Sequence, residues 1–71
     1  MSWNNNGEDI WVETKRGKET GYTISKIPPY SIGRFTQDDT KYKMNSRKKY
    51  LGEAPTLREA KQKIRNLHYV L

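Results

Sequence analysis

The chain predicts an α+β domain: a small antiparallel sheet of three or four strands with one C-terminal helix packed on one face. Three observations carry this. Apolar and β-branched residues alternate at period two from Ile10 to Leu51, Gly and Pro punctuate that alternation, and a helical period takes over behind a cap at Thr56.

The opening Met1-Ser2-Trp3-Asn4-Asn5-Asn6-Gly7 has no periodicity, so residues 1–8 read as a flexible, frayed tail ahead of a single small domain at 9–71. In Ile10-Trp11-Val12-Glu13-Thr14-Lys15, the set Ile10, Val12 and Thr14 alternates with Trp11, Glu13 and Lys15, a β-branched and aromatic mixture that favours a strand. Arg16-Gly17-Lys18 is a turn, and Gly21–Ile27 alternates again with Tyr22 and Ile24 on one face, completing a hairpin. Pro28-Pro29 removes two backbone donors and forces Ile27 into an extended conformation, which breaks the strand. Tyr30–Phe35 resumes an extended pattern weakened by Gly33, and Thr36–Thr40 is turn chemistry. Lys41–Met44 and Lys49–Gly52 make a second hairpin about the polar link Asn45–Lys48.

The helix is the best-defined element. Thr56-Leu57-Arg58-Glu59 has the capping-box spacing, which predicts Thr56 as N-cap. Leu57, Ala60, Ile64 and Leu67 follow on one face, with Arg58, Gln62 and Asn66 opposite and Glu59 one turn from Lys63. The expected helix runs from about Leu57 to about Leu67, and Tyr69-Val70-Leu71 is read as an added edge strand or a cover for the core. Trp11 or its neighbours Ile10 and Val12, with Tyr22, Ile24, Ile32, Leu51, Leu57, Ala60, Ile64 and Leu67, form the expected core.

Composition narrows the function. The absence of Cys and a single His exclude thiol nucleophiles and Cys/His structural zinc sites. Only 32% of residues are hydrophobic, but 5 Tyr, 2 Trp and 1 Phe supply large apolar areas to a small core. Neither a leader nor an apolar run is visible, which fits a soluble cytoplasmic protein with no membrane partner. His68 has no Ser or Asp at a triad spacing and reads as structural or surface. Asp38-Asp39 reads as a turn, and no Gly-rich phosphate loop occurs. The expectation is a protein that is not an enzyme, with no cofactor, no metal and no small-molecule substrate.

Charge is the functional signal. The chain carries a net charge of +6. Residues 1–40 hold 5 Lys/Arg against 6 Asp/Glu, net −1, and residues 41–71 hold 9 against 2, net +7, so the positive field belongs to the C-terminal half. Arg47, Lys48 and Lys49 cluster at a hairpin end, Lys41 and Lys43 flank Tyr42, and Arg58, Lys61 and Arg65 form a helical stripe. Such a field attracts nucleic acid, the favoured partner, or an acidic protein surface, and a solvated face that keeps a small domain soluble carries the same charges. Tyr42 and Tyr50 among the cations suit base stacking, but Tyr42, Met44, Tyr50 and Leu51 are equally what a half-buried hairpin needs to cover a helix, and that structural reading is preferred because the chain has few other apolar residues for its core.

From Tyr42 through Tyr50-Leu51-Gly52 into Thr56-Leu57-Arg58-Glu59-Ala60-Lys61, the chain resembles the last hairpin and helix of small three-stranded-sheet-plus-helix DNA-binding domains, such as the arm-site-binding domains of phage tyrosine recombinases and the plant AP2 type. The resemblance spans about residues 41–68, and it also extends to very small phage-encoded accessory proteins, some of which block host enzymes. It implies a sheet lying in the major groove with the helix bracing its back, and Lys41, Lys43, Arg47, Lys48 and Lys49 on the hairpin positions that face a duplex. The sheet ahead of Lys41 departs from that pattern in being longer and broken at Pro28-Pro29. The reading is therefore a small nucleic-acid-binding protein, of phage-encoded kind, using Lys41, Lys43, Arg47, Lys48, Lys49, Arg58, Lys61 and Arg65. The alternative is an accessory or inhibitor protein that binds an acidic surface of a host protein.

Overall fold

The computed structural model describes residues 2–7 and 9–69. The elements in order are β1 (Ser2–Asn5), β2 (Ile10–Lys15), β3 (Lys18–Ile27), β4 (Tyr30–Ile32), β5 (Phe35–Gln37), β6 (Lys41–Asn45), β7 (Tyr50–Ala54) and α1 (Leu57–Tyr69). An antiparallel sheet of order β1-β2-β3-β6-β7 carries α1, and β4 and β5 pair only with each other. The α+β class and the C-terminal helix are as the sequence predicts. The strand count is not: five strands in the main sheet and two in the ribbon replace three or four. Among the described residues no helix is long and apolar enough to cross a membrane.

The first extra strand is β1, in the segment read as a tail. Ser2–Asn5 pairs with β2 from Ser2↔Thr14 to Asn5↔Trp11, and Trp3 packs against the core. Gly7, at φ 108°, makes the tight return, and the Asn6 N–H donates to the Ile10 carbonyl at 2.8 Å. A single large ring supplies the apolar area that polar Asn neighbours lack, and an edge strand tolerates those neighbours because half its backbone faces water.

The β2–β3 hairpin turns on Arg16 and Gly17, both at positive φ (54° and 79°). That is the pattern of two-residue turns whose twist matches the flanking strands, and it lets β3 start at Lys18, earlier than Gly21. The register shifts between Val12 and Thr14, and Gly21 on β3 sits at φ 98°. Pro28-Pro29 ends β3 as expected. Beyond it Gly33, at φ 59°, is a turn residue, so residues 30–37 fold into the β4–β5 ribbon instead of one strand, and Thr36 and Gln37, read as the start of a turn, pair with Ser31 and Tyr30. Ile32, expected in the core, is consequently 69% exposed, and Phe35 is 76% exposed.

Cross-strand partners sort the sheet into two sides. Trp11↔Ile24, Ile24↔Met44, Met44↔Gly52 and Tyr42↔Ala54 lie on the side under α1. Ile24, Met44, Ala54, Ala60 and Ile64 are buried there, with Trp3, Trp11, Tyr22, Tyr42, Leu51 and Leu57 packed around them. Trp11, not Ile10 or Val12, is the inward residue of β2, and Ile10 is 44% exposed. Ala54 is a core residue the sequence reading did not include, and Met44, read as part of a half-buried hairpin that covers the helix, is fully in the core.

The Glu59 N–H donates to Thr56 Oγ1 at 3.1 Å, which makes Thr56 the N-cap. Helix α1 lies over β3, β6 and β7. Leu67 is 39% exposed, because the buried face of α1 turns through Ala60 and Ile64 to half-buried His68. Lys63 donates to the Glu53 carbonyl at 3.4 Å in place of the expected pairing with Glu59. Helix α1 continues past the expected end at Leu67 to Tyr69, which the sequence reads with Val70-Leu71 as an edge strand or cover; Val70 and Leu71 lie outside the described residues.

Candidate nucleic-acid interface

Helix α1 covers one side of the sheet, and the opposite side is open. Strand β6 alternates, so Tyr42 and Met44 enter the core while Lys41, Lys43 and Asn45 point the other way. On the open side Lys43 stands between Ser25 of β3 and Glu53 of β7, and Asn45 stands opposite Thr23. Val12 and Asn4 extend that surface onto β2 and β1. Tyr42 therefore serves the core, 6.0 Å from the Trp11 ring, and is not available to stack on a base.

Lys41 meets Glu53 Oε2 at 3.6 Å, and Tyr50 donates to Glu53 Oε1 at 3.0 Å. An exposed ion pair of this kind contributes little and exchanges readily with an incoming anion. The Tyr50 phenol is held above its ordinary value of 10.0, first by desolvation, then by the Glu53 hydrogen bond and that carboxylate's charge.

The β6–β7 turn is organised by Ser46, whose Oγ accepts from the N–H groups of Lys48 and Lys49 at 3.4 and 3.2 Å. Lys48 and Lys49 are exposed at its tip. Arg47 folds back over β3: a Cβ on Gly21 would stand 2.7 Å from Arg47 Cγ, and Nη2 donates to the Glu19 carbonyl at 3.4 Å. Glycine at position 21 thus makes room for the arginine stem.

The three helical cations lie elsewhere. Arg58, Lys61 and Arg65, with Gln62 and Leu57, line one wall of an open cleft of about 700 Å³ whose other lining residues are Trp3 and Glu13. This cleft is on the α1 side, so the sheet separates it from Lys43. The eight cations read as one site form two: Lys41, Lys43, Arg47, Lys48 and Lys49 belong to the sheet and its turn, and Arg58, Lys61 and Arg65 belong to the helix.

Beneath the cleft is a polar cluster. Glu13 is 1% exposed, and its Oε1 accepts from Thr20 Oγ1 at 2.6 Å and lies 2.8 Å from His68 Nε2. The Tyr22 ring meets His68 edge-on at 4.9 Å. Both partners converge on one carboxylate oxygen, so the hydroxyl–imidazole–carboxylate order that activates a nucleophile is not formed by these three groups. The cluster ties the last turn of α1 to β2, and it satisfies a carboxylate that burial would otherwise make costly. Among the described residues no group of three or more His, Asp or Glu side chains converges as a metal site.

Trp3 and Glu13 are the cleft residues that sequence reasoning missed. The signal for Trp3 was a lone large aromatic in a polar stretch. For Glu13 it was its place on the Trp11 face of β2. No family model, curated protein or solved structure matches the chain.

Proposed function

We propose that this chain is a small non-enzymatic nucleic-acid-binding protein that lays the open side of its sheet and its β6–β7 turn against a nucleic-acid backbone. The observation that carries the reading is the division of β6: alternate residues stitch the core, and Lys41 and Lys43 stand on the side that no helix covers. Ser25 and Thr23 place hydroxyl donors beside them, and Arg47, Lys48 and Lys49 extend the positive surface to the hairpin end. Cations neutralise phosphates, hydroxyls bond to phosphate oxygens, and a two-stranded hairpin is narrow enough to enter a major groove. The β6–β7 hairpin has that form.

The test is a titration of duplex DNA, duplex RNA and single strands at two salt concentrations. Engagement of about three to five phosphates gives a slope of log K against log salt of roughly −3 to −4.5 on duplex DNA. Lys43→Ala and Lys48→Ala each flatten the slope by about one unit, whereas a combined Arg58→Gln and Lys61→Gln variant leaves it unchanged. Failure to bind any nucleic acid at low salt overturns the reading.

A further inference from the structure

The cleft on the helix side adjoins the β1 edge of the sheet, and the two sheet edges are unlike. On β7, the Glu53 side chain carries charge, the Glu53 carbonyl already accepts from Lys63 Nζ at 3.4 Å, and Gly52 sits at φ 118° beside a register irregularity. Those are devices that discourage another strand from pairing. Strand β1, Ser2-Trp3-Asn4-Asn5, has no charge, no proline and no irregularity in its pairing with β2. Its outer edge offers main-chain donors and acceptors, and its Trp3 ring forms one wall of the cleft.

We propose that the β1 edge and this cleft form a docking site for an extended acidic segment of another protein, added to the sheet as a sixth strand. The proposal does not rest on the nucleic-acid reading. An added strand takes its main-chain hydrogen bonds from β1 and turns alternate side chains toward the helix layer. There it meets Arg58 and Lys61, with Arg65 adding to the same field. The stripe from Arg58 to Arg65 spans about 10.5 Å of helix, and side chains two apart on a strand repeat at about 6.8 Å, so two or three alternate acidic residues match it. The carboxylate of Glu13 is turned away from direct contact with them, being 1% exposed with Oε1 already engaged by Thr20 and His68.

Chemistry favours a polypeptide over a single nucleic-acid strand. A strand of bases needs successive aromatic platforms, and among the described residues the cleft supplies only Trp3; the β1 main-chain groups are a template that a polypeptide matches.

The experiment uses the full chain labelled with ¹⁵N and titrated with a capped peptide of about seven residues alternating Glu and Val, which is the length and pattern of an added strand. The expected result is amide shifts and slowed amide exchange concentrated in Ser2–Asn5, with a shift of the Trp3 indole. The combined Arg58→Gln and Lys61→Gln variant weakens binding about tenfold, and Lys43→Ala leaves it unchanged. The same peptide with Lys in place of Glu does not bind. Shifts confined to the open side of the sheet or to β7, no response to millimolar peptide, or stronger displacement of the Trp3 signal by oligothymidine than by the acidic peptide each overturn the proposal. Because Lys43→Ala reports on nucleic acid and the helix variant on peptide, failure of one reading is distinct from failure of the other.

Discussion

The two sides of the five-stranded sheet are made by the same strands and differ in almost everything else. Under α1, Ile24, Met44, Ala54, Ala60 and Ile64 are buried and the rings of Trp11 and Tyr42 close around them. On the other side the same strands present Asn4, Val12, Thr23, Ser25, Lys43 and Glu53. Period two lets one strand hold the fold together with half its residues and meet a partner with the other half. Substitutions along β6 should therefore divide into those that affect stability and those that affect the proposed nucleic-acid binding.

The largest expected effect is on the covered side. Ile64→Ala empties a fully buried position and should cost about 2–5 kcal/mol, enough to unfold much of a domain of this size. Denaturant unfolding measures it, and a loss under about 0.5 kcal/mol, the range of an exposed site, would show that this helix face does not carry the core. His68→Ala comes next. It withdraws one partner from buried Glu13 at an expected cost of about 1–3 kcal/mol, while the salt slope for nucleic acid in the folded protein stays as it was. A changed slope at unchanged stability would move His68 from the fold to the interface.

The β4–β5 ribbon sharpens the contrast, because its apolar side chains belong to neither side of the sheet. Phe35→Ser should change stability by less than about 0.5 kcal/mol, since Phe35 is 76% exposed; a larger loss in thermal unfolding would place the ring in a contact. The smallest effect is alkaline. Tyr50 has a raised pKa in the fold, so its contribution is complete below its ordinary value of 10.0 and is lost as pH climbs past that toward the folded value. Stability should fall more steeply than in Tyr50→Phe as pH climbs past 10.0, and identical urea midpoints for the two proteins on the alkaline side of that value would remove the Glu53 link.

Much of this was legible in the chain. The Thr56 cap, the Arg16-Gly17 turn, the break at Pro28-Pro29 and the β6–β7 hairpin follow from chemistry confined to a few neighbouring residues, and all four are in place. What sequence reasoning missed depended on distant partners. Trp3 has no periodic neighbours, so β1 is visible only once β2 offers an edge and the core offers the ring a place. Ile32 and Leu67 looked apolar enough for a core, yet the ribbon pairs away from the sheet and the helix turns its buried face to His68. The eight cations of the candidate site looked like one field because charge is additive along a sequence. In space a sheet divides them.

The sequence by itself determined where the helix starts behind Thr56, that the chain breaks at Pro28-Pro29, that the C-terminal half is basic, and that thiol chemistry is absent, because each is a property of residue type or of spacing along the chain. Only the tertiary structure decided which half of each strand faces inward. Trp11 with Glu13, or Ile10 with Val12, could have been the buried set of β2, and local pattern leaves that choice open. Packing of α1 on one side closed it, carrying Glu13 inward to Thr20 and His68 and leaving Lys43 on the open side. The physical reason is that alternation gives a strand two faces of equal local merit, and only a distant element that buries one of them makes the two different in free energy.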